Sequence, residues 1–194
     1  MVKPEVGRTR QRTRARLIEA TLALVGARGF AAVSLDEIAD RAGVTKGAIY
    51  SNYRGKGELL WDAARGKQLV LRPQLAPGAS ARELAEELAR GVMALIPQAA
   101  REAEFHRELA AYVRTDRDLQ VREAAEQTAL LDEWARQIDA AFGGRLAIPA
   151  RQMVLASQAL SRGFLAQAAL TPAEVTHEVV AATFLALIEG ATRT

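Results

Sequence analysis

The stretch Ser34-Leu-Asp-Glu-Ile-Ala-Asp-Arg-Ala-Gly-Val-Thr-Lys-Gly-Ala-Ile-Tyr-Ser-Asn-Tyr53 leaves the chain few local choices. Ser34 with Glu37 three residues later is a capping-box pattern, in which each side chain satisfies a backbone N–H of the other residue. Leu35, Ile38, Ala39 and Ala42 then fall on one face of a helix. Gly43 supplies a left-handed turn that a side chain would oppose. Thr45 is placed to cap a second helix running through Ala48 and Ile49 to about Tyr53. Helices joined by so short a turn cross steeply, which is the helix-turn-helix geometry. Val44 and Ile49 point inward, whereas Lys46, Gly47, Ala48, Tyr50 and Asn52 are small or outward-facing. A helix with that surface sinks into a groove, with Lys46 at its entrance and Tyr50 and Asn52 at the level of phosphates. The same pattern also suits a plain surface hairpin in a larger bundle.

Charge separates the chain at the same place. Residues 1–56 hold 11 Lys and Arg against 5 Asp and Glu, and residues 57–194 hold 15 against 18. The net +6 of the first segment, beside −3 for the rest, is the footprint of a nucleic-acid contact at one end, although random scatter of surface charge gives the same count. Arg8, Arg10, Arg12, Arg14 and Arg16 lie near the start of a helix whose apolar stripe is Leu17, Ile18, Ala20, Thr21, Leu24 and Val25. Cations there oppose the helix dipole by about 0.3–1 kcal/mol each in the first turn. A DNA backbone would offset that penalty; a solvated basic tail is the plainer reading. Residues 1–8 have no periodicity, and Gly29 ends the helix.

The pieces Thr13–Ala20, Gly29–Phe30, Ser34–Ala39, Ala42–Tyr50 and Asn52–Tyr53, with Lys56, Leu59 and Leu60, occur in this order. Together they resemble the DNA-binding segment of the tetracycline-repressor (TetR) family over about the first third of the chain. The resemblance implies that Lys46, Gly47 and Ala48 approach base edges and that Tyr50, Asn52 and Lys56 bind phosphates. It also implies that Ser34 and Thr45 set helix N-terminal N–H groups against the DNA backbone. Gly47 and Ala48 carry almost no hydrogen-bonding capacity. Readout then leans on Lys46, thymine methyls and DNA shape.

Beyond Tyr53 the pattern stays helical. Leu59, Leu60, Trp61 and Ala64 open a helix that the resemblance sets between head and body; Gly66 weakens it, and Pro73 and Pro77 end it. Residues 72–79 read as a hinge. Ser80 with Glu83 opens a helix through Leu84, Leu88, Val92, Leu95 and Ile96 that stops at Pro97. A further helix carries Phe105, Leu109, Tyr112 and Val113. Thr115 with Asp118 opens one that reaches about Phe142 before Gly143-Gly144, and Pro149 falls in the first turn of the next. Thr171-Pro172 starts the last helix. The fold expected is all-α: a three-helix head, residues 1–55, that binds DNA, and a larger helical body, residues 56–194, that binds an effector and dimerises, with about nine helices in all.

With no cysteine and only His106 and His177, the chain offers no thiolate chemistry and no metal-ligand spacing, so neither catalysis, metal nor cofactor is expected. Glu102 and Glu104 near His106 read as a solvated helix face. No signal sequence or membrane span is evident, and a soluble cytoplasmic protein is expected. Its expected partners are double-stranded operator DNA, a second copy of itself and a small effector. The last two helices, through Leu160, Phe164, Val179, Phe184 and Leu187, are the expected dimer face. Met93, Phe105, Tyr112, Trp134, Met153 and Phe164 are candidates for a mainly apolar effector pocket, and also for plain core. Arg114 or His106 would orient an acidic ligand. A repressor released by its effector is the leading reading. The others are an effector-independent DNA binder, a ligand-binding or interaction module without DNA activity, and a small helical enzyme.

Overall fold

A computed structural model describes residues 4–65, 71 and 73–193, with the side chains of residues 4–8 outside that set. The described residues form eight α-helices: α1 (Pro4–Arg28), α2 (Leu35–Ala42), α3 (Lys46–Tyr50), α4 (Lys56–Arg65), α5 (Ala81–Val113), α6 (Arg117–Phe142), α7 (Ala150–Leu170) and α8 (His177–Gly190). Among them there is no strand, only an isolated antiparallel bridge between Leu146 and Thr192. No helix among the described residues is long and apolar enough to cross a membrane.

Two compact units emerge, and neither is a continuous stretch of chain. The first comprises Met1–Gln68 with Glu102–Glu123, and the second Leu69–Arg101 with Ala124–Thr194. The division expected at residue 55 is therefore not the one seen. The reason lies in the apolar positions: Leu59, Leu60 and Ala64 of α4 and Phe105 of α5 are buried in the same cluster as Leu17, Ile38 and Ile49. Removing α4 or the second part of α5 from this unit would expose the core they close. In the second unit Leu84, Leu88 and Val92 of α5 bury against Ile138, Phe142, Met153 and Val154. Val180, Phe184 and Ile188 of α8, spaced four apart on one face, complete that core.

Several helix ends differ from expectation. Helix α5 continues through Pro97, whereas the sequence suggests a stop there. Proline removes one intrahelical hydrogen bond, but the apolar stripe resumes beyond it and is buried on both sides, at Val92 and at Phe105. Pro97 itself is exposed, so water can serve the carbonyl left without its donor. Helix α6 is capped by Asp116, which accepts from the Leu119 N–H at 3.1 Å; Thr115 instead donates to the Tyr112 carbonyl. Thr171-Pro172 opens only a 3-10 turn, and α8 starts later, with Thr176 accepting from the Val179 N–H. Pro149 stands just before α7 rather than inside it. The Ser80–Glu83 box forms as expected, and α6 ends at Phe142, before Gly143 and Gly144, both of which take positive φ. Gly66, expected to weaken α4, lies outside the described residues, as does Arg72 of the expected hinge.

Candidate nucleic-acid interface

The helix-turn-helix forms from local chemistry. Ser34 holds the extended backbone of a cap, its Oγ accepts from the Glu37 N–H at 3.2 Å, and its own N–H donates to Glu37 Oε2 at 2.8 Å. These bonds from Ser34, helped by Arg28 at 2.8 Å, pull the Glu37 carboxyl down to about 2. Gly43 turns with φ 60° and donates its N–H to the end of α2. Arg16 seals the turn from α1, bonding the Gly43 carbonyl at 3.0 Å and lying where a Cβ on Gly43 would stand.

Helix α3 has five residues, too few to be stable alone. Ile49, wholly buried, anchors it, a burial worth about 1.5–3 kcal/mol. Thr45 has cap-like backbone angles, but its side chain makes no cap bond, contrary to expectation. The helix also ends at Tyr50 rather than Tyr53. Ser51 and Asn52 turn back to bond the Ala48 carbonyl, at 3.0 and 2.7 Å. The outward side then consists of Lys46, Gly47 and Tyr50, the last 56 % exposed, with Ala48 half-buried.

The candidate residues thus divide. Ser34, Thr45, Lys46, Gly47 and Tyr50 lie at the surface around α3, with Ala48 and Asn52 partly covered. Lys46 Nζ pairs with Asp36 of α2 at 2.8 Å, a bond that raises the lysine's pKa. Lys56 is turned away from the surface. Its ammonium bonds the Phe30 carbonyl and sits 4.2 Å from the Phe30 ring centroid, and burial lowers its pKa.

Arg10 and Arg14 of α1 have partners inside the unit. Arg10 reaches Asn52 Oδ1 at 3.2 Å and the Ser51 carbonyl at 3.3 Å. Arg14 reaches Asp62 Oδ2 at 2.7 Å, the same oxygen that accepts from the Tyr53 hydroxyl at 2.7 Å. Burial pushes the Tyr53 hydroxyl upward, with the Asp62 bond adding to it. Burial also pulls Asp62 upward, but bonds from Tyr53 and Arg14 outweigh it and leave the carboxyl below its usual value. This triad ties α1, the end of the helix-turn-helix and α4 together, and sequence reasoning missed it. The signal was present: Asp62 is the one acid within Leu59-Leu60-Trp61-Asp62-Ala63-Ala64.

The effector candidates also separate. Phe105 and Tyr112 belong to the first unit, and Met93, Trp134, Met153 and Phe164 to the core of the second. They do not converge as a set of six. Trp134 lines two hollows of the second unit. One, of about 50 Å³, also has Leu95, Gln127, Gln158, Ser161 and Arg162 in its wall. The other is an open cleft of about 910 Å³ between Pro73–Pro77 and α6. Arg114 and His106 lie in the first unit and line neither. His106 stands 3.7 Å from Glu102, and no cluster of His, Asp and Glu among the described residues is arranged to hold a metal ion.

A capped α2 joined by the Gly43 turn to a short α3 with small residues outward is a helix-turn-helix. Residues 17–63 match the family described as bacterial regulatory proteins, tetR family. Over 67 residues it is 39% identical to the HTH-type transcriptional regulator SrpR of Pseudomonas putida, covering 34% of this chain and 32% of that protein. The match therefore spans about a third of that relative's length. Likeness of fold extends further. Salmonella enterica GusR superposes with a TM-score of 0.68 at 16% identity, covering 92% of this chain and 94% of that one. SmeT, solved as a triclosan complex, gives 0.62 at 20% identity, with 94% and 92% covered.

Proposed function

We propose that this chain is a DNA-binding transcriptional regulator, a repressor released from its operator by a small, mainly apolar effector. The observation that carries the first part is the surface of α3: a lysine, a glycine and an exposed tyrosine on a helix anchored by Ile49, within a match to the family's head. Such a helix enters the major groove while flanking groups fix its register on phosphates. The protein acts in the cytoplasm on double-stranded DNA. A selection of genomic fragments by the purified protein tests this. Enrichment of one or a few related sites is expected, and recovery no better than from random DNA overturns it.

Two copies act together, because one head makes too few contacts for operator-level affinity. The expected face needs revision: Phe184 is fully buried within its own unit, and Leu160, Phe164 and Leu187 are partly covered. The outward stripe of α7 is instead Leu155, Ala159, Gly163, Ala166 and Leu170, and that of α8 includes Val179, Ala182 and Ala186. Small residues at this spacing let helices approach closely, which suits a two-fold four-helix bundle.

The effector reading rests on the hollows beside Trp134 and on SmeT, a protein of the same fold that binds triclosan. A ligand there shifts the population away from the DNA-competent state, and operator must weaken ligand binding by the same factor. Calorimetric titration of a screened ligand with and without operator tests this; equal affinities overturn it. The second reading, DNA binding without an effector, is favoured by the small size of the inner hollow, about 50 Å³.

A further inference from the structure

Phe30, in the turn between α1 and α2, is gripped on every polar atom of its backbone and on its ring. Its N–H donates to Glu108 Oε2 of α5. Its carbonyl accepts from Lys56 Nζ of α4. The Tyr112 ring, one helical turn beyond Glu108, meets it edge-on with centroids 4.3 Å apart. The Lys56 ammonium completes the cage over the ring. All four residues lie in the first compact unit. Gly29, with φ 78°, brings the chain so close to α5 that a Cβ there would collide with the Glu108 carboxylate. A second close approach, at Gly57, sets a Cβ 2.6 Å from the Tyr112 hydroxyl. Bonds to ionised groups are stronger than neutral ones, and a backbone gripped at both N–H and C=O has little freedom left. The residues that follow are Val33, buried in the core, and Ser34, the cap that starts the helix-turn-helix.

We propose that Glu108 is a positioning residue for DNA binding: with Lys56 and Tyr112 it clamps Phe30 and thereby fixes where α2 and α3 stand. The inference rests on the reading that this unit binds DNA. It also reassigns Lys56, which the family resemblance gives to phosphate, to the clamp. A phosphate contact and a positioning contact differ in a measurable way. Loss of a phosphate contact lowers affinity and reduces the slope of log K against log salt by about 0.9 for each contact. Loss of a positioning contact lowers affinity and leaves counterion release by the remaining contacts intact. A group that only stabilises the fold lowers the melting temperature and leaves the affinity of the folded protein unchanged.

The test uses the full chain and a fluorescent duplex selected by the parent protein, titrated across a salt series well below the melting temperature. Failure of the parent itself to bind any duplex would strike the DNA-binding reading. With a binding parent, Glu108→Ala is expected to weaken affinity about tenfold at unchanged salt slope and unchanged far-UV circular dichroism. Glu108→Gln keeps an acceptor oxygen at the same reach and is expected to stay within about twofold of the parent. Glu108→Asp keeps the charge but falls one methylene short, and it should bind more weakly than Glu108→Gln; this pair decides the matter if the alanine variant unfolds. Lys56→Gln is expected to weaken binding without flattening the slope. Glu108→Ala binding as tightly as the parent, Glu108→Asp matching or exceeding Glu108→Gln, or a flattened slope for Lys56→Gln overturns the proposal.

Discussion

Ser34 and Glu37 carry a charge as well as a cap. Glu37 sits at about 2, below its ordinary 4.5, because its charged form accepts bonds from Ser34 and Arg28. A carboxyl with a depressed folded-state pKa stabilises the fold above its ordinary value and loses that contribution as pH falls through the depressed one. Ser34→Ala is therefore expected to cost about 1 kcal/mol at neutral pH. The gap between variant and parent should close between pH 4.5 and about 2. Urea unfolding at several pH values measures it, and a gap independent of pH would show that Glu37 is not held by this cap. On the DNA side, Tyr50→Ala should weaken every duplex alike and reduce the salt-independent part of affinity. Lys46→Ala should alter sequence preference as well, which a selection from random duplexes reads out. The cap, the Gly43 turn and inward Ile49 were legible because each depends on neighbours within four residues. Asp62 with Arg14 and Tyr53, or Glu108 with Phe30, joins residues far apart in the chain, and no local pattern announces such partners.

At the scale of elements, punctuation misled where burial overruled it. Pro97 reads as a stop, yet α5 runs 33 residues through it because both sides of the proline have apolar faces to bury. If the helix merely tolerates the ring, Pro97→Ala should raise stability, by up to about 3 kcal/mol, the usual cost of an interior proline. A thermal scan that shows no gain would mean that the local backbone is shaped to the ring. Thr171-Pro172 misled in the other direction, since a cap-like threonine and a favourable proline gave only a 3-10 turn. Thr176 opens the true helix, placing Val180, Phe184 and Ile188 on the core side, a register the earlier start does not fix. Helix existence was legible from periodicity, whereas helix ends depended on which of two nearby caps let the apolar stripe face the core.

At the scale of the molecule, the sequence pointed to large apolar residues for self-association, and the fold buries Phe184 and partly covers Leu160, Phe164 and Leu187. Ala159 and Gly163 lie at the middle of the stripe that α7 leaves exposed between Leu155 and Leu170, and a Cβ added at Gly163 would meet nothing within its own chain. Ala159→Arg should then yield a folded monomer by sedimentation at micromolar concentration, with operator affinity lost and circular dichroism unchanged. A variant that still sediments as the parent does would move the interface elsewhere. The division into units was not legible because Phe105 and Leu109 look like body residues until α5 is known to share the core of Leu17 and Ile49. One surface pair has a consequence for how such a protein finds its target. Asp36 holds Lys46 at 2.8 Å, so any DNA that takes the lysine must first displace a carboxylate, and that carboxylate also repels the phosphates that all sequences share. A genome presents a vast excess of wrong sites, and what matters is the ratio of affinities across them. If α3 enters the groove as proposed, Asp36 would weaken brief visits to every wrong site, and only a site that gives Lys46 a base edge would compensate for the exchange. Asp36→Asn should therefore prolong the dwell on random DNA more than on the operator, so that the protein holds DNA more tightly and searches it more slowly.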